Sequence, residues 1–179
     1  MEKDILKVLI DAKTIKNRVA ELGKIIECEY QGKDLMVVGV LKGCMFFLTD
    51  LVREINLPLT MDFMVVSSYG NSTKSSGVVR IIKDLERDIQ GKDILIVEDI
   101  VDTGLTLSYL IEVLKGRNPN SVKVISLLDK PSRRKIDVDV EHIGFSVPDE
   151  FVCGYGLDYN EVYRNLPFVC ILKPEVYMK

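Results

Sequence analysis

Leu35–Leu41 reads LMVVGVL, a seven-residue run with no polar face to turn toward water. It does not alternate apolar with polar, as a half-exposed strand does, and it is short for a buried helix. It suits a strand covered on both faces, and such strands belong to parallel sheets with helices packed on either side. Residues 93–98, DILIVE, form a second strand of this kind.

Two doubly covered strands require helices between them. Ile15, Val19, Leu22 and Ile26 recur at helical spacing and predict an amphipathic helix over residues 12–29, broken by Gln31-Gly32-Lys33-Asp34. CMFFLTDLVREI predicts a helix over 44–55, after Lys42-Gly43 ends the first strand. A helix over 106–115 ends at Gly116 and the Asn118-Pro119-Asn120 turn. Further strands are expected at 59–66, 79–83, 122–128, 143–147 and 168–172. No repeat or linker interrupts the order. The alternation predicts one domain over residues 1–179, of α/β class, with a mostly parallel twisted sheet flanked by helices.

Composition narrows the function. Lys plus Arg is 24 and Asp plus Glu is 27, a net charge of -3, which argues against broad binding of nucleic acid or membrane. The longest apolar stretch, residues 35–48, is broken by Lys42 and two glycines, so no membrane span is expected. The first residues, MEKDILKVLIDAKTI, are too acidic and their apolar run too short for a signal peptide. Cys28, Cys44, Cys153 and Cys170 are far apart and only one histidine, His142, is present, so a Cys/His zinc site is not expected. Reduced thiols in a cytoplasmic protein are the expectation, and His142 reads as structural.

Residues 94–107, ILIVEDIVDTGLTL, carry the chemistry. In open α/β sheets ligands bind beyond the carboxyl ends of the strands. Glu98 and Asp99 stand at such an end, and Asp102-Thr103-Gly104-Leu105-Thr106 turns into the next helix. Backbone N–H groups at a helix start, with threonine hydroxyls, suit a phosphate. Carboxylates beside a phosphate must face something else, either sugar hydroxyls or a divalent cation. The stretch therefore reads as a sugar-phosphate pocket. Two other readings remain open on spacing alone: solvated acids at a strand end, and a phosphoacceptor site of the receiver type.

VEDIVDTGLTL also resembles the phosphoribosyl-pyrophosphate signature of type I phosphoribosyltransferases. Leu41-Lys42-Gly43, Ser67-Ser68-Tyr69-Gly70, residues 129–134 (DKPSRR) and residues 148–159 (PDEFVCGYGLDY) extend the resemblance from about Val38 to Pro167. The last two blocks resemble the hypoxanthine-guanine branch in its bacterial form. That resemblance implies a type I fold with a small hood from the chain ends. It also implies purine salvage: transfer of 5-phosphoribosyl from phosphoribosyl pyrophosphate to hypoxanthine or guanine, giving IMP or GMP and pyrophosphate, with Mg²⁺.

The resemblance assigns roles residue by residue. Asp102 matches the carboxylate that assists loss of the purine N7 proton, although a helix N-cap is the plain alternative. Glu98 and Asp99 match the acids facing the ribose hydroxyls and their metal, and Asp158 a second metal position. Thr103, Gly104, Leu105 and Thr106 match the phosphate loop. Leu41, Lys42 and Gly43 match the pyrophosphate loop, whose peptide before the lysine is in some members cis. Arg164 matches a pyrophosphate arginine, and of Arg133 and Arg134 the spacing favours Arg134 beside pyrophosphate. Lys130 matches the residue that reads the 6-oxo group, Phe151 the stacking aromatic, and Val152 a backbone contact to the base edge. Residues 67–77 hold five Ser and two Gly without apolar periodicity and match a closing loop, with Ser68 and Tyr69 at the pyrophosphate. A homodimer or homotetramer is implied. Against the enzyme stand a nucleic-acid-binding regulator of the same fold, which should show a basic face, and a transferase for xanthine or adenine.

Overall fold

The structure is a computed structural model that describes residues 1–68 and 79–177. Its main sheet has six strands: β2 (Leu35–Leu41), β3 (Thr60–Ser68), β4 (Val79–Lys83), β5 (Asp93–Val101), β6 (Ser121–Asp129) and β7 (His142–Ser146). They lie in the order β4-β3-β2-β5-β6-β7, all parallel except β4, which pairs antiparallel with β3 at one edge. The parallel α/β sheet read from the sequence is present.

The apolar runs are explained by position. β2 and β5 are the middle strands, and their side chains go alternately to two cores. Leu35, Val37, Leu95 and Val97 join the face covered by α1 (Ala12–Glu29) and α2 (Met45–Arg53). Met36, Val38, Ile94 and Ile96 join the face covered by α3 (Leu105–Lys115). Both sides are dry, so the period of two leaves no trace in polarity. Ile15, Val19, Leu22 and Ile26 of α1 are all buried, as their spacing predicts. Each such side chain contributes roughly 1.5–3 kcal/mol of burial. Asp11 caps α1, its Oδ1 accepting from the Thr14 amide at 2.9 Å.

A second, three-stranded antiparallel sheet, in the order β1-β9-β8, joins the two chain ends as β1 (Ile5–Ile10), β8 (Val152–Cys153) and β9 (Val169–Leu172). It forms the expected hood. Short turns of helix at Glu2–Asp4, Pro131–Arg133 and α4 (Pro174–Tyr177) complete the described elements. Among those residues no helix is long and apolar enough to cross a membrane.

Several expectations are corrected. β5 does not stop at Glu98: Ile100 and Val101 go on pairing with Leu128 and Asp129, so Glu98 and Asp99 lie within the strand. Asp102 is not the N-cap of α3. Gly104 is, at φ 80 with no side-chain cap, a conformation that glycine adopts without steric cost. The second helix begins at Met45 and ends at Arg53 rather than spanning 44–55. The loop starts later than expected, because Ser67 and Ser68 extend β3 and pair with Arg80 and Val79. Tyr69 and the expected closing loop lie outside the described residues. His142 is structural: its Nε2 sits 3.0 Å from Glu29 Oε1, joining β7 to the end of α1.

Candidate active site

The carboxyl ends of β2, β5 and β6 lie side by side, and the first two deliver residues to one cleft. β2 runs into Lys42 and Gly43 through a cis Leu41–Lys42 peptide. Gly43 is buried, and a Cβ there would fall 1.6 Å from Asp99 Oδ2. Only glycine lets this turn lie against the carboxylate. A cavity of about 240 Å³ opens here, lined by Leu41, Lys42, Gly43, Glu98, Asp99 and Thr106 among others. A smaller one of about 110 Å³, lined by Glu98 and Asp102 to Thr106 without Leu105, shares Glu98, Ile100 and Thr106 with it. A third cavity, about 480 Å³, lies between α1, α2 and residues 165–167, with Ile15, Val19 and Phe46 in its wall, away from these acids.

Glu98 is 8% exposed. Burial, reinforced by the charge of Asp99, pushes its carboxyl well above the usual range. Burial likewise raises Asp99 to about 6, although the Ile100 amide donates to its Oδ1 at 2.9 Å and opposes the shift. A buried carboxyl beside a half-buried one is costly when both are charged, so a cation or a set of hydroxyl donors would relieve them. Among the described residues no group of three or more potential ligands is assembled. That donor set fits Mg²⁺, which takes one or two carboxylates and keeps water and phosphate oxygens as its other ligands.

The loop from Asp102 to Thr106 is held from both ends. Thr103 O accepts from the Lys135 and Ile136 amides at 3.0 and 3.2 Å, and Val101 O from the Lys130 amide at 3.0 Å. Thr103 Oγ1 accepts from the Leu105 amide at 3.4 Å. Ser108 donates the first helical bond, to Gly104, leaving the Thr106 and Leu107 amides free at the helix start. Asp102 faces this loop with its side chain 38% exposed and its Oδ1 3.2 Å from Arg133 Nε.

Lys130 follows β6 and is 6% exposed, its Nζ donating to Glu150 O at 2.8 Å beside Phe151 and Val152. Phe151 is 37% exposed and stacks on Tyr177 at 5.0 Å, with Tyr159 edge-on at 5.6 Å. Val152 is buried in β8, opposite Ile171. Arg134 pairs with Asp129, and its other amine is buried without an acceptor.

Opposite Lys42 stands a turn in which Asn160 and Glu161 both have positive φ, 51 and 64. Glu161 Oε2 accepts from Lys42 Nζ at 2.8 Å, and its Oε1 lies 3.3 Å from Arg164. Arg164 also pairs with Asp158 at 2.7 Å and donates to Gly156 O at 2.7 Å, while its Nε is buried with no acceptor. An unpartnered buried guanidinium N–H and an exposed ammonium make a site for an anion. Leu41, Lys42, Gly43, Glu98, Asp99 and Thr106 share one cavity, and Asp102, Thr103 and Gly104 line the one beside it. Arg164 and Asp158 lie close enough for their charges to act on Asp99. Lys130 stands apart with Glu150, Phe151 and Val152, Arg134 turns to Asp129, and Tyr69 and the side chain of Ser68 lie outside the described residues. Glu161, Tyr159 and Tyr177 were not anticipated, and no local pattern marks them.

A phosphoribosyl transferase domain matches residues 9–160. The chain is 56% identical to the hypoxanthine-guanine phosphoribosyltransferase of Bacillus subtilis, over 99% of this chain and 98% of that protein. It is 53% identical to the bifunctional protein TilS/HprT of Listeria monocytogenes, but it spans only 27% of that protein's length. The crystal structure of a hypoxanthine phosphoribosyltransferase from Staphylococcus aureus superposes with a TM-score of 0.96 at 51% identity, covering 99% of this chain and 96% of that one. With the fold and the geometry of the cleft in place, these likenesses show that the chain belongs to the phosphoribosyltransferase family, in its hypoxanthine-guanine branch.

Proposed function

We propose that the protein salvages purines by moving the 5-phosphoribosyl group from phosphoribosyl pyrophosphate to hypoxanthine or guanine. The observation that carries this reading is the buried Lys130, whose ammonium donates to Glu150 O beside Phe151 and Val152, just past the strand that pairs with the one bearing Glu98 and Asp99. An ammonium has three donors and no acceptor, so it suits a 6-oxo group.

In the reaction the bond from C1 of the ribose to the pyrophosphate oxygen breaks, and a bond to N9 of the base forms. Pyrophosphate leaves with the electron pair, and the base loses its N7 proton. Asp102, whose side chain is part-exposed, would accept that proton. Lys42 and Arg164 would receive the pyrophosphate by displacing Glu161, and the amides at the start of α3 with Thr103 and Thr106 would hold the 5-phosphate. Glu98 and Asp99 would face the ribose diol. Bound Mg²⁺ would neutralise pyrophosphate charge, with Glu98 and Asp99 nearest and Asp158 available once Arg164 turns to substrate. Phe151 would stack on the purine after parting from Tyr177. A cytoplasmic homodimer or homotetramer completes the reading, and sedimentation tests its assembly.

The test is a spectrophotometric assay with five bases, phosphoribosyl pyrophosphate and Mg²⁺. Turnover of hypoxanthine and guanine is expected. Turnover of adenine alone would overturn the reading.

A further inference from the structure

We propose that Arg133 is a positioning residue for the transfer: it takes one oxygen of Asp102 and thereby turns the other toward the purine. The proposal rests on the reading of Asp102 as proton acceptor.

The segment bearing Arg133 is fixed by backbone contacts. Lys130 donates to Val101 O, the Arg133 amide to Lys130 O at 3.2 Å, and the Arg134 amide to Pro131 O at 3.1 Å. Lys135 and Ile136 then donate to Thr103 O. Residues 130–136 are thus bonded to both sides of Asp102. The Pro131–Arg133 turn directs one arginine inward, to Asp129, and the other outward, to Asp102.

The contact is asymmetric. Arg133 Nε lies 3.2 Å from Asp102 Oδ1, which is shielded from solvent and has no hydrogen-bonded partner. The 38% exposure of the side chain therefore belongs to the rest of it, including Oδ2. Arg133 NH1 also reaches to 3.8 Å from Asp149, at the entrance to the hood. Rotation of a carboxylate about its last torsion is soft, with a broad distribution. Asp102 makes no capping bond that would fix it. The Arg133 charge 3.2 Å from one oxygen supplies that restraint as an ion pair, without a hydrogen bond.

Stability and catalysis separate cleanly here. Arg133 is 49% exposed, and pairs between such groups contribute little to folding. Misplacement of a reacting group, in contrast, is costly in rate.

The test is single-turnover transfer to hypoxanthine by wild type, Arg133→Ala, Arg133→Lys, Asp102→Asn and the double variant Arg133→Ala/Asp102→Asn. Arg133→Ala should slow the chemical step roughly tenfold to a hundredfold, with KM for phosphoribosyl pyrophosphate within about twofold and Tm unchanged. Arg133→Lys, or free guanidinium ion added to Arg133→Ala, should restore part of the rate. In the Asp102→Asn background, loss of Arg133 should have no further effect. Weakened pyrophosphate affinity at unchanged rate would instead make Arg133 an anion ligand and overturn the proposal. So would a rate loss that follows a fall in Tm. A slow Asp102→Asn beside a normal Arg133→Ala refutes the positioning role alone, whereas a fast Asp102→Asn refutes the role of Asp102 itself.

Discussion

Gly43 lies where the pyrophosphate turn meets the acids of β5, and adding one methyl group there tests that packing. In Gly43→Ala the new Cβ would stand 1.6 Å from Asp99 Oδ2 and 2.4 Å from its Cγ, where ordinary contact starts at 3.4 Å. Turn and carboxylate must part by about 3.4 − 1.6 = 1.8 Å along that line. Neither retreats easily. Asp99 Oδ1 is engaged by the Ile100 amide, and Gly43 O lies so close to Gly156 that a Cβ there would be 2.0 Å away. A misplacement of about 1 Å at a reacting centre costs on the order of 10²-fold, or about 2.7 kcal/mol of barrier. The variant should therefore lose roughly 10² or more in kcat/KM for phosphoribosyl pyrophosphate. Overpacking should also destabilise the fold by about 1–3 kcal/mol, read as a lowered Tm. Gly116→Ala is the control, since its Cβ would meet nothing nearer than 3.5 Å at φ -65. Steady-state kinetics with phosphoribosyl pyrophosphate varied decides the matter. Gly43→Ala within threefold of wild type would refute the close packing of turn and carboxylate.

Lys130→Ala should cut kcat/KM for hypoxanthine and guanine while pyrophosphate affinity stays near wild type, and wild type should use adenine very poorly, by roughly 10⁴-fold; adenine use within tenfold of hypoxanthine would sink the role of Lys130. Glu161→Gln removes the carboxylate that holds both Lys42 and Arg164, so pyrophosphate should bind more tightly and inhibit more strongly, and unchanged inhibition in calorimetric titration would count against displacement. Asp99, raised to about 6 in the fold from 3.8, holds its proton more tightly folded than unfolded; its favourable contribution is complete below pH 4 and is lost as pH rises toward 6. Melting curves should accordingly show Asp99→Asn gaining on wild type between pH 4 and 6, and a constant difference would contradict the shift. Of the four thiols, exposed Cys28 should react quickly with an aromatic disulfide reagent, whereas buried Cys44, Cys153 and Cys170, all with pKa raised by burial, should wait for denaturant.

How far the structure could be read in advance depended on where each signal resides. The β2 and β5 runs were legible because burial on both faces excludes polar residues along the whole strand. Helix α1 was legible to its ends, since Asp11 caps it and its apolar stripe is regular. Strand β1 escaped because Leu6 and Val8 stay 58% and 44% exposed, which blurs any alternation in ILKVLI. The extension of β5 past two acids runs against propensity, and pairing with β6 overrides it. Asp102 and Arg133 are distant in sequence, and nothing local announces that DKPSRR sends its two arginines to different carboxylates. The residues around Lys42, Glu98 and Thr103 were recognisable from motif alone; the contact of Lys42 with Glu161 belongs to tertiary structure.

The hood has a consequence for how the protein comes into being. Its middle strand is β9, with β1 on one side and β8 on the other, so Ile5 finds its partner only in Leu172. A ribosome makes β1 first and must deliver nearly all the parallel sheet before β1 can pair. For a loop of that length the closure cost is about 4–5 kcal/mol from the logarithmic term. The phosphate loop and the acids of β5 can fold while that strand is still unmade. The purine side, which hangs on Phe151 and Val152 beside β9, cannot. A nascent chain would thus hold the acids of β5 and the loop after them before it holds the hood, and loss of β9 would remove the centre of the second sheet rather than trim its edge.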